Sequence, residues 1–319
     1  MKSDFTGQLR RVLRSAVRGL RKFAYSGPVS SIGSEKPGRR PRVGLALGGG
    51  FARGIAHVGV LKVLVENGIP IDALAGTSAG SLAAAAFASG CTIEEMIAAA
   101  RKLRWSKFAR WTFSRLGFAT NERMESLLKG LLHCRTFEQT KIPLAIVAAD
   151  VTTGEAVTFR EGNLIVPVRA SCCFPGLFIP VEYRGRRLVD GVVVGSLPVA
   201  ALKEMDVDVI VGVHMTSNGS PSPPNNLFQI VGESFQIIQN LNQSNWRKSC
   251  DLVIEPKVLD VRWDAFERAD ELIAAGEAAA RAVLPALRLL VQAPEAKVSL
   301  PSRSLGRRSM TVVEPGVSA

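Results

Sequence analysis

The chain has 319 residues, 47% of them hydrophobic, enough for one large α/β domain with a substantial core. A net charge of +12 invites a nucleic-acid reading, but its distribution argues against one: residues 1–42 carry 11 Lys and Arg against two acids, and 292–319 carry four against two, leaving 43–291 at +1. Five cysteines, at 91, 134, 172, 173 and 250, form no C-x-x-C pair and read as buried small hydrophobes in a reducing compartment, not a disulfide frame or zinc site.

Residues 5–24 read as an amphipathic helix. Phe5, Leu9, Val12, Leu13, Val17, Leu20 and Phe23 recur at helical spacing, with six Arg and Lys residues between them. The expectation is attachment to an anionic membrane surface. A helix packed on the body or on a partner chain fits the same pattern, as does an Arg-rich mitochondrial presequence. There is no uninterrupted apolar stretch, so a cleaved secretory signal is not expected. Gly, Ser, Pro and Arg dominate 26–42, which reads as a linker. Residues 1–42 are therefore helix and linker, ahead of a body at 43–291.

Val43 to Leu47 is the first core strand. The turn Gly48-Gly49-Gly50-Phe51-Ala52-Arg53-Gly54 follows, then a helix from about Ile55 to Glu66. Such a turn presents backbone N–H groups to an anion. It fails the dinucleotide pattern because Arg53 stands where the third glycine belongs, and the P-loop pattern because Ile55-Ala56 replace Lys-Ser/Thr. An oxyanion-hole loop survives, with amides near Gly49 and Gly50 facing an acyl carbonyl oxygen. Arg53 reads as orienting this loop, as drawing an anionic headgroup, or as a plain surface charge.

Ile71 to Ala75 is the second strand and Ser81 to Ala88 the helix after it. Between them, Gly76-Thr77-Ser78-Ala79-Gly80 is G-x-S-x-G, a nucleophile elbow whose serine stands before a helix N-terminus. Ala73 to Ile93 is uncharged and long enough for a membrane span. Eight of its 21 residues are Gly, Ser or Thr, however, and it contains the elbow, so a buried helix of a soluble fold is expected.

Thr92-x-x-Glu95 is a capping box opening a helix through Leu103. The aromatic and basic stretch 105–120 is expected to be a lid or an irregular loop packed on the core. A helix from Glu122 to Leu132 ends at His133, read as a capping residue. Pro143 to Ala149 is a buried strand ending at Asp150, which is expected to serve the turn to a return strand, Glu155 to Phe159. Leu164 to Cys173 reads as a helix beneath the site. Val181 to Tyr183 and Arg187 to Val189 form a strand pair closing on Asp190-Gly191. Val207 to Val213 is a buried strand ending at His214. A loop at Gly219 to Pro224, a helix from about Asn226 to Asn245, a strand at Leu252 to Ile254 and a helix from Ala265 to Leu290 complete the body. Residues 292–319 are polar and aperiodic and are expected to be disordered.

An elbow serine, an upstream amide loop and a downstream carboxylate are the minimum for acyl transfer. By chain order Ser78, Asp190 and His214 could fill a triad. Together GGGFARG, GTSAG, AADVTTGEAVTF and LVDG, at this spacing, resemble the patatin-like phospholipases over about Val43 to Leu290, and among them bacterial members near the neuropathy-target-esterase branch. The resemblance implies a three-layer α/β/α fold with a mostly parallel central sheet and a Ser–Asp dyad that needs no histidine. Ser78 is then the nucleophile and Asp190 the base. Gly48, Gly49 and Gly50, with Arg53 beside them, form the oxyanion hole, and Gly76 and Gly80 shape the elbow. His214 has no catalytic role on that reading. Val192 departs from the Gly or Ala usual after Asp-Gly, and a β-branched residue there could displace the turn carrying Asp190.

An ordinary Asp, with a pKa near ~3.9, is a poor base for a serine hydroxyl, so burial is expected to raise Asp190. The implied activity is a serine lipid acyl hydrolase of the phospholipase, lysophospholipase or esterase type. It acts on a lipid acyl ester through an acyl-enzyme, with no metal or organic cofactor, in the cytoplasm and peripheral on the inner membrane. The alternatives are acyl transfer or thioester hydrolysis with the same dyad, and a catalytically silent membrane-associated regulator. Oligomeric state is left open.

Overall fold

Along each core strand, successive apolar side chains enter two different clusters. The structure is a computed structural model and describes residues 39–215, 223–224, 227–258 and 260–292. The expected helix at 5–24, most of its linker, most of the 219–224 loop and nearly all of the 292–319 tail lie outside the described residues. In β1 (Val43–Leu47), Leu45 and Leu47 join one cluster and Ala46 the other. In β2 (Ala73–Thr77), Leu74 joins the first, Ala73 and Ala75 the second. Leu144, Ile146 and Ala148 of β5 (Leu144–Asp150) alternate in the same way with Ala145 and Val147. A strand that is apolar on both sides belongs to a sheet with both faces covered.

The first face carries the helices Ala56–Glu66, Ala79–Ser89 and Ala269–Val291. The second is covered by the short helix Val199–Lys203 and by Trp246. The result is the expected three-layer α/β/α arrangement. Strands β10 (Leu252–Ile254), β9 (Val209–Val213), β1, β2 and β5 run parallel in that spatial order. β8 (Arg186–Asp190) and β7 (Val181–Tyr183) extend the sheet antiparallel, and β6 (Ala156–Phe159) pairs antiparallel with β5.

Register sets up the site. Thr77 at the end of β2 lies opposite Val147 of β5, and Asp190 at the end of β8 lies opposite Ala148, the next residue of β5. Segments more than a hundred residues apart in sequence thus meet at the carboxyl ends of the parallel strands, where open α/β sheets place their ligands.

Helices Ala56–Glu66 and Ala269–Val291 cross at Gly59 and Gly276. A Cβ on Gly59 would overlap the Ile273 carbonyl, and one on Gly276 the Ala56 carbonyl. Gly59→Ala is therefore expected to destabilise the fold by about 1–3 kcal/mol in urea unfolding. Gly130→Ala is the control: nothing lies within 4 Å of an added Cβ there, and better helix propensity makes the change neutral or mildly stabilising. Equal midpoints for the two variants would remove the close helix crossing as a source of stability.

The structure differs from the sequence reading in four places. Residues 105–120 form a helical turn, Trp105–Phe108, and a hairpin of β3 (Arg110–Ser114) and β4 (Gly117–Thr120), not an irregular segment. The hairpin is anchored because the Phe118 and Ala119 amides both donate to the Leu177 carbonyl. The helix expected at 226–245 is two, Leu227–Leu241 and Gln243–Arg247, and the Asn242 side chain between them donates back to the Ile238 carbonyl. Helix Val199–Lys203 was not foreseen, and the long last helix starts at Ala269 after a 3-10 turn at Phe266–Arg268. No helix among the described residues is long and apolar enough to cross a membrane, and Ala73 to Ile93 divides between β2 and Ala79–Ser89.

Candidate active site

Ser78 sits at φ 53 and ψ −128, a backbone region that non-glycine residues occupy only when their surroundings force it. Neighbouring glycines allow the bend. A Cβ on Gly80 would overlap the Leu47 carbonyl, and one on Gly76 would strike the Ser81 backbone. Bonds then lock it. The Ser78 amide donates to Ser171 Oγ at 2.8 Å, and that hydroxyl donates to the Val147 carbonyl at 2.6 Å. The Ser78 carbonyl accepts from Ser81 Oγ at 2.6 Å and from the Cys172 thiol at 3.2 Å. Both backbone polar groups of the strained residue are thus satisfied, and the helix Ala79–Ser89 starts directly after it.

Ser78 Oγ donates to Asp190 Oδ2 at 2.6 Å, and Asp190 Oδ1 accepts the Val192 amide at 3.0 Å. Asp190 is 1% exposed. Burial raises its pKa to about 7, against the two hydrogen bonds, which pull the other way. Val192 does not displace the turn. Its amide steadies the carboxylate, while its side chain fills the space over Gly49, where a Cβ would overlap it. Gly191 is equally constrained, lying against the Val147 carbonyl.

Gly49 and Gly50 line a cavity of about 90 Å³ together with Ser78, Asp190, Phe51 and Arg53. Gly48 departs from the expected oxyanion hole. Its amide donates to the Val213 carbonyl at 3.1 Å, so it is committed to the neighbouring strand and is not free for an oxyanion. Its own carbonyl accepts His57 Nε2 at 2.8 Å. Among the described residues, the Gly49 amide makes a single long bond, 3.4 Å, to the Ser196 carbonyl. Arg53 is half-buried, and its Nε donates to the Val261 carbonyl at 2.7 Å, tying the glycine loop to the chain before the last helix. Burial lowers its pKa and the charge of Glu233 opposes that.

His214 is buried with its ring 4.8 Å from that of Trp246. Neither ring nitrogen finds a partner among the described residues, and burial lowers its pKa to about 4. The triad allowed by chain order does not assemble: Ser78 Oγ bonds Asp190 directly, and neither His214 nitrogen bonds to either of them. Asp150 serves its turn, accepting the Thr152 amide at 3.0 Å. His133 pairs with Glu95 at 3.2 Å. Those two and Cys91 could hold a metal ion, their ligand atoms lying within 4.8 Å of one another. None of the three lines the cavity at Ser78.

Sequence reasoning missed Ser171, Cys172 and His57, which hold the backbone of the elbow and the glycine loop. The available signal was a hydroxyl inside an apolar helix: a buried polar group needs a partner, and Ser171 finds it in the Ser78 amide.

Residues 45–203 match the family model described as patatin-like phospholipase. An uncharacterized NTE family protein of Mycobacterium tuberculosis is 35% identical over 187 residues, 58% of this chain and 51% of that protein. A second from the same organism is 30% identical over 278 residues, 78% of this chain and 48% of that protein. The chain therefore spans about half the length of these mycobacterial relatives. Lysophospholipase nte1 of Aspergillus fumigatus is 31% identical over 198 residues, 60% of this chain and 13% of that protein. Among solved structures, VipD from Legionella pneumophila matches with a TM-score of 0.45 and 12% identity over 84% of this chain and 73% of its own. Human GIVD cytosolic phospholipase A2 in complex with methyl gamma-linolenyl fluorophosphonate matches with a TM-score of 0.44 and 12% identity, over 79% and 59%.

Proposed function

The chain belongs to the patatin-like phospholipase family through residues 45–203, and from that premise we propose that it is a serine lipid acyl hydrolase using a Ser78–Asp190 dyad and an acyl-enzyme. The observation that carries the reading is the 2.6 Å bond from a strained elbow hydroxyl to a buried carboxylate. Ser78 Oγ attacks the acyl carbonyl carbon as its proton passes to Asp190 Oδ2. A carboxyl standing near pKa 7 is far better matched to that transfer than an ordinary Asp. Negative charge developing on the carbonyl oxygen meets the Gly49 and Gly50 amides and the N-terminus of helix Ala79–Ser89. Asp190 returns the proton to the departing alcohol. It then deprotonates a water that attacks the acyl-enzyme, releasing the acid and restoring Ser78.

The test is a fluorophosphonate probe on the intact chain, followed by peptide mapping and a panel of lysophospholipid, neutral ester and acyl-CoA. One adduct is expected, on Ser78, with hydrolysis of the oxygen esters. A folded sample that takes no label overturns the hydrolase reading, and a preference for acyl-CoA moves it to thioester chemistry. His214→Ala is expected to retain activity within about threefold. A loss of about a thousandfold would return a histidine to the mechanism.

A further inference from the structure

Phe51 lines three cavities at once. It borders the one holding Ser78 and Asp190. It borders an aromatic cavity of about 90 Å³ with Phe118, Phe174, Val231 and Trp263. It also borders an apolar cavity of about 80 Å³ behind the elbow, walled by Ala79, Leu82, Ala86, Met96 and Ala99. The ring is wedged edge-on between Phe174 at 5.1 Å and Trp263 at 5.0 Å. The backbone beneath it has φ 50. A bulky residue enters that left-handed region only under constraint, whereas a fourth glycine after Gly48-Gly49-Gly50 would adopt it freely. Its backbone preference therefore opposes Phe at this position, and the ring's packing holds it there.

We propose that the Phe51 ring is the partition that selects the acyl chain. It steers the chain from Ser78 into the aromatic cavity and closes the apolar cavity behind the elbow, so that short acyl esters are preferred over long ones. This rests on the acyl hydrolase reading and deepens it by naming a specificity residue. The step it governs is binding, and the chemistry at Ser78 is unchanged.

The experiment compares kcat/KM for four-carbon and twelve-carbon p-nitrophenyl esters. Phe51→Gly opens the Ser78 cavity to the apolar cavity behind the elbow and is expected to raise the long-to-short ratio by about tenfold or more, since each newly buried methylene is worth about fourfold. Phe51→Asn, a residue that tolerates the same backbone region, carries the same test if the glycine variant does not fold. Ala99→Leu fills the rear cavity from the helix Ile93–Lys102, away from the reacting groups. It is expected to leave the wild-type ratio within about twofold and to cancel the gain when combined with Phe51→Gly.

An unchanged ratio in folded variants that still take the fluorophosphonate label overturns the partition alone. So does a wild-type ratio that falls with Ala99→Leu by itself, because the rear cavity would then already hold substrate. A wild-type enzyme that takes no label overturns the hydrolase reading, and the partition with it.

Discussion

Ser78→Ala is expected to cut ester hydrolysis by about 10⁴–10⁶-fold and to abolish fluorophosphonate labelling, because among the described residues no second serine, threonine or cysteine lines the cavity with Gly49 and Gly50. Ser78→Gly should be equally inactive but differ in stability. Alanine inherits φ 53 and ψ −128, where its Cβ is strained. Glycine adopts the same angles without strain but loses more entropy on folding, which offsets part of the gain. The glycine variant is expected to be more stable than the alanine variant by about 1 kcal/mol in urea unfolding. The comparison belongs at pH 5.5, below the Asp190 pKa of about 7. There the carboxyl keeps its proton, and losing the hydroxyl partner strands no buried charge. Alanine and glycine variants of equal stability would mean that the elbow stores no strain, and the nucleophile would then owe its position to hydrogen bonds alone.

The parts of this site that short-range patterns encode were legible in the sequence. Ser78 lies between two glycines at fixed spacing, and Asp190 lies in a strand-end Asp-Gly. What joins them was not legible. Ser78 and Asp190 meet because Thr77, just before the serine, and Asp190 face consecutive residues of β5, and that register is a long-range pairing no local pattern carries. Gly48 shows a second limit. In a run of three glycines each looks equally able to offer an amide, yet the first continues the bonding to β9. The hairpin at 110–120 shows a third. Its alternation of charged or polar with aromatic residues is a strand signal, but the aromatics drew attention to packing instead. The break at Asn242 is a fourth: apolar periodicity runs on either side, and a single side-chain bond to the Ile238 carbonyl accompanies the break. Val192, a departure from the motif, bonds through its amide to the carboxylate it follows.

Asp190→Asn is expected to lower hydrolysis by about 10⁴-fold and, in the same protein, to raise stability at alkaline pH. The sign follows from the direction of the shift. Asp190 has a pKa of about 7 in the fold against 3.8 for an ordinary aspartate. Below 3.8 both states are protonated and burial of the neutral acid costs little. Between 3.8 and 7 the unfolded chain ionises while the folded chain does not, so stability falls as pH rises, and above 7 the loss levels off. At about 1.4 kcal/mol per pH unit, the ceiling on that loss is about 4 kcal/mol. Asparagine escapes it, being uncharged at every pH. Its oxygen can still accept the Val192 amide and its nitrogen can face Ser78 Oγ. The variant should therefore exceed wild type by up to about 4 kcal/mol in urea unfolding at pH 8, with the gap closing as pH is lowered to 4. A gap that persists undiminished at pH 4 would trace to packing and not to ionisation. The same proton governs the rate. Wild-type kcat/KM should rise through about pH 7 with a one-proton slope and flatten above it. A flat profile from pH 5 to 8 would show that burial does not raise Asp190 to about 7 and that its ionisation does not govern the rate in this range. Activity and stability thus pull in opposite directions on one carboxyl: the burial that makes it basic enough to take a serine proton is the burial that destabilises the fold once the proton leaves.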